Sequence, residues 1–372
     1  MKVLHFYKTY YPETFGGVEQ VIFQICEGVY AQGIESTVLS TTNGEGSSQK
    51  VGQHNAIAVK KNFELLSTPF STSAISMLKS LSKKVDIIHY HYPWPFMDMA
   101  HVIARIDKPS VVTYHSDVVR QKTAMKIYAP LMHRFLSSVN KIVATSPNYI
   151  QSSPILRQYA EKTEVIPIGL DENTYPRPEQ SILQAWKSKL PEPFFLFVGV
   201  LRYYKGLDSL LKACEKLPYP VVIVGSGPEE ARLRQTALSF GISNIHFLGA
   251  LPDEDKVALL HLCHAAVFPS NLRSEAFGIS LLEAAMYGKP LISCEIGTGT
   301  TYINVHGETG LVIPPDSPTD LNHAMRWLME NPEAAIEMGR NARERYQKLF
   351  RAADMSEKYR LLYNNIMAKR NA

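Results

Sequence analysis

Glu275 and Glu283 stand eight positions apart in the stretch SEAFGISLLEA, with an aromatic residue, a glycine and an apolar run between them. Eight residues make a little over two helical turns, so on one continuous helix the carboxylates fall within roughly 80° of each other. Gly278 favours a helix start beside it, which leaves Glu275 in the loop before the helix and Glu283 on its second turn. The pair then surrounds a helix N-terminus, where unpaired backbone N–H groups can hold an anion. In VGVLRYYKG, Arg202 and Lys205 follow an apolar run that ends near Val198. A guanidinium fork and an ammonium point charge at the end of a strand suit a diphosphate, although a solvated loop has the same composition.

Other residues can converge on the same chemistry. YYPETFGGVEQV puts Gly16 and Gly17 just before a helix, where missing side chains admit a ligand or simply allow a tight turn. It is not G-x-G-x-x-G, and no acidic residue follows a second strand at ribose-binding spacing, which argues against an NAD-dependent dehydrogenase. His115 and Asp117 follow the strand-like PSVVTY, where functional groups of this architecture collect, although a histidine there is more often a satisfied core residue than a ligand. HYHYPWPF contributes His89, His91 and Trp94. Our reading puts the two histidines on opposite sides of their strand, against a shared metal. Asp253-Glu254-Asp255 spells D-x-D, a cation-binding pattern in some sugar-nucleotide enzymes. Here it opens a helix, where acidic residues serve capping and the helix dipole. No metal ligand is expected.

The elements that must position these groups alternate between short apolar runs and longer amphipathic ones. KVLHFY reads as a strand, GVEQVIFQICEGVYAQG as a helix ending at Gly33, and ESTVLST as a second strand; VDIIHYH, PSVVTYH, NKIVATS and TEVIPIG continue the series. After PIGLDENTYPRPEQ the pattern restarts with PFFLFVGV, YPVVIVGSG, NIHFLG, AAVFPS and KPLISCE, separated by helices. This is βα repetition, with mostly parallel sheets and ligands at the C-terminal strand ends. The expected architecture is α/β: two Rossmann-like domains facing across a cleft. Residues 1–175 form the first and 176–350 the second, with a C-terminal helix over 351–372 packing back on the first.

The 372 residues exceed what one core usually sustains, and 45% apolar with 20% charged residues is ordinary for a globular protein. A net charge of +4, with no dense basic tract or paired aromatic motif, argues against a nucleic-acid partner. The four scattered cysteines suit a reducing compartment. Neither a signal peptide nor an 18-residue apolar span is present, so a cytoplasmic location is expected, with at most peripheral membrane contact.

The opening glycines, TYHSD, VGVLRYYKG, SEAFGISLLEA and INVHGETGLVIPPDSPTDL together resemble the retaining glycosyltransferases of family 4, which have the GT-B fold. The likeness runs over nearly the whole chain, and its most specific part is the pair of glutamates with AFG between them. It implies transfer of a sugar from a nucleotide diphosphate with retention at the anomeric carbon and no divalent metal. It also implies roles. Glu275 contacts the donor-sugar hydroxyls and Glu283 the ribose, while the backbone of Phe277, Gly278 and Ile279 meets sugar and phosphate. Lys205 holds the diphosphate, Gly16 and Gly17 are the first-loop glycines, and His115 stands near the reacting centre. The family's usual arginine directly after the strand-ending glycine is missing, since Val200 follows Gly199. Arg202 is expected to replace it.

Asp253 and Lys256 fall where the base should sit; a carboxylate can accept from guanine N1–H and N2–H and a lysine can donate to O6. The same region is similar to bacterial mannosyltransferases of surface-polysaccharide assembly. GDP-mannose is therefore the expected donor, with a UDP-sugar donor or, further off, a GT-B nucleotide-sugar epimerase as alternatives. The family likeness further implies a polyprenyl-diphosphate-linked glycan acceptor in lipopolysaccharide or O-antigen synthesis. VVRQKTAMKIYAPLMHRFLSSVNK, with Arg120, Lys122, Lys126, Arg134 and Lys141 among apolar residues, suits an anionic membrane surface or a helix packed on its sheet.

Overall fold

The computed structural model describes residues 1–118 and 122–371, with only the backbone for 122–124 and 371. Two compact units emerge, Met1–Gly169 together with the helix Ala352–Asn371, and Leu170–Arg351.

The first unit carries strands β1 (Lys2–Phe6), β2 (Glu35–Thr42), β3 (Ser47–Val51), β4 (His54–Lys60), β5 (Phe63–Leu65), β6 (Thr68–Phe70), β7 (Ile87–Tyr92), β8 (Ser110–Tyr114), β9 (Lys141–Ala144) and β10 (Thr163–Val165). Eight of them form one sheet in the order β10-β9-β8-β7-β1-β2-β4-β3, and β5 and β6 pair separately as a hairpin. All ladders of the large sheet are parallel except β3 with β4. Strands β7 and β8 are buried along their whole length, as expected where helices cover both faces. The helix Gly17–Tyr30 buries Val21, Ile22, Ile25, Cys26 and Val29, a stripe at helical spacing. The sequence reading did not anticipate β3 to β6. β3 is a polar, almost wholly exposed edge strand without an alternating pattern, so nothing local marks it.

The second unit carries β11 (Phe195–Val198), β12 (Val221–Val224), β13 (Ile245–Gly249), β14 (Ala265–Phe268), β15 (Leu291–Cys294) and β16 (Gly310–Ile313). They form an all-parallel sheet ordered β13-β12-β11-β14-β15-β16. Phe195, Phe197, Val221, Ile223, Val267 and Ile292 build its core with Leu210, Leu211, Met325 and Leu328 from the flanking helices. Both units are thus Rossmann-like, and together they are the two domains of the expected GT-B fold.

The basic segment considered for membrane contact becomes the helix Lys122–Ser138 followed by β9. Arg120 and the side chain of Lys122 lie outside the described residues. Met132, Phe135 and Leu136 pack into the domain, while Lys126, Ile127 and Arg134 are exposed. Lys141 belongs to β9 and pairs with Glu164 at 2.5 Å, so it is not part of that exposed face.

Candidate active site

In the second sheet the strand order reverses between β11 and β14, and ligands of such sheets bind beyond the carboxyl ends at the reversal. The loop after β11 carries Arg202 and Lys205; the loop after β14 carries Ser270 and Glu275. Strand adjacency brings residues 70 positions apart together: Lys205 Nζ lies 2.5 Å from Glu275 Oε2. The Ser270 hydroxyl donates to the same oxygen at 3.2 Å, and the ammonium stands 4.7 Å from the centroid of the Phe268 ring. Gly206 permits this approach, because its φ is +67° and a Cβ there would fall 1.9 Å from the Pro269 carbonyl oxygen. Lys205 is buried. Arg202 is exposed at the start of the short turn Tyr203–Lys205 and, among the described residues, its guanidinium makes no hydrogen bond or ion pair. One cation is committed to a carboxylate and the other is open.

Gly278, with φ +97°, stands immediately before the helix Ile279–Met286. The first intrahelical bond runs from Leu282 N–H to the Gly278 carbonyl, so the N–H groups of Ile279, Ser280 and Leu281 have no helical partner and point to where an anion can sit. The Phe277 side chain is buried 6.0 Å from the Phe350 ring, which leaves its backbone for ligand contact. Glu283 is on the helix's second turn. Its Oε1 accepts from the Tyr175 hydroxyl at 2.9 Å and lies 3.3 Å from Lys256 Nζ, while Oε2 takes neither. Lys256 also pairs with Asp253 at 2.8 Å. Burial lowers the Lys256 pKa, but Glu283 and Asp253 outweigh it and hold the ammonium above its ordinary value. Tyr175 was not foreseen; it sits in a turn-rich stretch with no periodic signal. It also lines a groove of about 770 Å³ with Arg177, Lys187, His261 and Tyr287, which includes none of Arg202, Lys205, Glu275 or Glu283.

The D-x-D residues occupy the first turn of the helix Asp253–Leu262, as the dipole favours, but they do not cap it. Pro252 is the capping residue, with no side-chain cap bond, and Asp255 instead accepts from Trp186 Nε1 at 2.7 Å.

In the first sheet the reversal lies between β1 and β7. Gly16 precedes the helix Gly17–Tyr30, and the Glu19 carboxylate folds against it; a Cβ on Gly16 would be 2.5 Å from Oε2. Glu19 Oε1 accepts from the Thr9 and Thr14 hydroxyls at 2.8 and 3.0 Å. A negative group already complements this helix start, so it is a poorer anion site than the one at Gly278. His115 follows β8 and is buried; burial pushes its pKa down to about 3. Asp117 is engaged by Tyr114 and Ser153 hydroxyls at 2.9 and 2.8 Å, which makes it a turn lock.

The placement of His89 and His91 on opposite sides of their strand is wrong. Residues two apart share a face, and the rings stack with centroids 4.4 Å apart. With His5 of β1 they form a buried group in which one nitrogen from each ring lies within 4.8 Å of the others. Tetrahedral zinc at 2.0–2.1 Å sets ligand nitrogens roughly 3.3 Å apart. Both nitrogens of His89 are already bonded, to Tyr363 and Thr113 hydroxyls at 2.7 Å each, and both of His91 face other imidazoles. Hydrogen bonding accounts for every nitrogen of His89 and His91 and for His5 Nδ1, while His5 Nε2 is buried without a partner.

Comparison with known proteins agrees with the geometry. Residues 15–174 match the family described as Glycosyltransferase Family 4, and residues 179–345 match Glycosyl transferases group 1. The chain is 56% identical over 353 residues to the D-rhamnosyltransferase WbpZ of Pseudomonas aeruginosa, covering 95% of this chain and 93% of that one. It is 49% identical over 372 residues to the O-antigen chain mannosyltransferase C of Escherichia coli, covering all of both. The fold is shared with Anabaena Alr3699/HepE, solved in complex with UDP-glucose, at a TM-score of 0.78, 19% identity and coverage of 98% and 100%. Fold and site therefore define a nucleotide-sugar-dependent glycosyltransferase of the GT-B class. The chain belongs to the family 4, group 1 glycosyltransferases.

Proposed function

We propose that the protein transfers mannose from GDP-mannose, with retention, to a polyprenyl-diphosphate-linked glycan in lipopolysaccharide or O-antigen synthesis. The observation that carries the donor is Lys256, which joins Glu283 to Asp253 through contacts of 3.3 and 2.8 Å. A ribose on Glu283 Oε2 puts the base next to a carboxylate that can accept from guanine N1–H and N2–H; uracil has no such pair of donors. The relatives named above transfer mannose and D-rhamnose, which is 6-deoxymannose, so the two sugars share their configuration around the ring. The 56% identity to a rhamnosyltransferase favours GDP-6-deoxymannose as the second reading.

In this reading the diphosphate lies on the helix start at Gly278, with Arg202 and Lys205 beside it, and Glu275 holds sugar hydroxyls. The C1–O bond breaks and its electron pair leaves with the diphosphate, whose growing charge the two cations stabilise. The acceptor oxygen bonds to C1 on the same face and passes its proton to the leaving phosphate oxygen. No divalent ion is assigned a part. Calorimetry in EDTA-containing buffer is expected to give tighter binding of GDP than of UDP, and at least a tenfold loss for Glu283→Ala, about 1.4 kcal/mol or more. Equal affinity for both nucleotides would remove the guanine assignment, and an unaffected Glu283→Ala would remove the ribose assignment.

A lipid-linked acceptor places the work at an anionic membrane surface in the cytoplasm. Among the described residues no helix is long and apolar enough to cross a membrane, and Lys126, Ile127 and Arg134 are the exposed groups we assign to a peripheral contact. Each exposed cation near such a surface adds about 1 kcal/mol, fading within a Debye length. Co-sedimentation with anionic vesicles is expected at low salt and lost at high salt. No binding at low salt, with full turnover on a soluble acceptor, would overturn this placement.

A further inference from the structure

The sheet of the first unit holds an unusual interior. His5 on β1 is in register with His89 on β7, and His91 on β7 with Thr113 on β8, in strands whose other buried positions are mostly Val, Leu, Ile, Phe and Tyr. Tyr359 and Tyr363 of the C-terminal helix bond this layer through Thr113 at 2.8 Å and His89 at 2.7 Å.

Within it runs a chain of three imidazoles. His5 Nδ1 is 3.1 Å from His91 Nε2, and His91 Nδ1 is 3.0 Å from His115 Nε2. His115 Nδ1, at the carboxyl edge of the sheet, has no protein partner among the described residues. His5 Nε2, at the other end, is buried with no partner. All three rings are kept neutral, since burial pushes His5 and His115 down to about 3 and His91 well below its ordinary value.

A neutral imidazole carries one N–H and one lone pair, so each N···N bond forces the next ring's tautomer. Only two arrangements satisfy both bonds. In one, every ring has its proton on Nε2, which leaves an N–H at His5 buried without an acceptor. In the other, every proton is on Nδ1: His5 donates to His91, His91 donates to His115, and the buried end is a bare lone pair. Orphaned buried N–H groups are the rarer defect. The second arrangement also suits a ligand, because phosphate and deprotonated oxygens only accept.

We propose that His5 and His91 are positioning residues that hold His115 as the neutral imidazole with its proton on Nδ1, so that it offers an N–H donor, and not a base, to an oxygen of the sugar nucleotide. This rests on the assignment of His115 to the reacting centre. The chain explains why imidazoles occupy core positions that aliphatic residues would fill: each ring both donates and accepts along one line. His89, bonded to two hydroxyls, stands outside that line and packs against it.

The proton position can be read directly. In the full-length protein with ring-¹⁵N histidine, nitrogen shifts separate the two neutral tautomers, and single substitutions at His5, His91 and His115 assign the signals. All three rings are expected in the Nδ1–H form. A proton on Nε2 of His115, or different tautomers along the chain, would overturn the proposal. Kinetics give an independent readout. His91→Asn keeps an N–H where Nδ1–H stood, whereas His91→Asp puts an acceptor there and forces the His115 proton onto Nε2. We expect kcat for His91→Asp to fall at least about tenfold below that of His91→Asn, with donor KM little changed between them. Equal losses in both would reduce His91 to a packing role and overturn the inference. Full transfer by His115→Gln would remove His115 from the reacting centre and the proposal with it, whereas wrong tautomers alone would leave that assignment standing.

Discussion

Arg202→Ala is expected to lower kcat by about 10²–10³-fold, the cost of losing one donor to transition-state charge, with no measurable change in Tm. The structure separates these effects. Arg202 is exposed and its side chain makes no hydrogen bond or ion pair among the described residues, so truncating it leaves nothing in the fold unsatisfied. Lys205→Ala should lose activity too, but not cleanly: it strands the Glu275 carboxylate, whose side chain is only 12% exposed, and breaking such a pair costs up to about 3 kcal/mol. Tm therefore drops for Lys205→Ala and holds for Arg202→Ala. Partial recovery in Arg202→Ala/Val200→Arg would show that position 200 can serve the same charge. A fully active Arg202→Ala enzyme would show that Lys205 and the helix start at Gly278 suffice.

The second large effect is on stability against acid. Burial depresses His5 and His115 to about 3, and His89 and His91 well below their ordinary value; repulsion from His54 adds to the shift in His5 and from neighbouring histidines to those in His89 and His91. These groups are neutral when folded and take up protons near pH 6.5 when unfolded. Between pH 6.5 and about 3 the unfolded chain therefore binds more protons, and stability falls as pH falls. From pH 7 to pH 5 His5 and His115 each remove about 2 kcal/mol, and His89 and His91 act in the same direction. Buried Asp98 acts the other way: burial raises its pKa well above the usual carboxylate value, so it holds a proton that the unfolded chain has released. It offsets part of this loss, while His101, which burial pushes down to about 4, adds to it, so the first unit is expected to be less stable at pH 5 than at pH 7. Denaturant titrations at pH 7 and pH 5, followed through the buried Trp94, measure this. A midpoint that does not move between the two would mean the histidines are not held neutral.

The βα alternation and the helix beginning after Gly278 could both be read from the chain alone. Apolar periodicity and a glycine with positive φ act over a few residues, so the sequence displays them. The same holds for the position of Glu275 in a loop and Glu283 on the following helix's second turn. It fails for β3, whose polar residues carry no pattern because an edge strand buries nothing. The three-imidazole chain, the Lys205–Glu275 pair and the grip of Tyr175 on Glu283 needed the fold. Each depends on which strands are neighbours. β1 lies beside β7 and β7 beside β8, so histidines 86 and 24 positions apart come into hydrogen-bonding reach. β11 lies beside β14, so a lysine from one loop neutralises a glutamate from another. Strand order is set by long-range packing of the whole sheet, and no local window of the chain contains it.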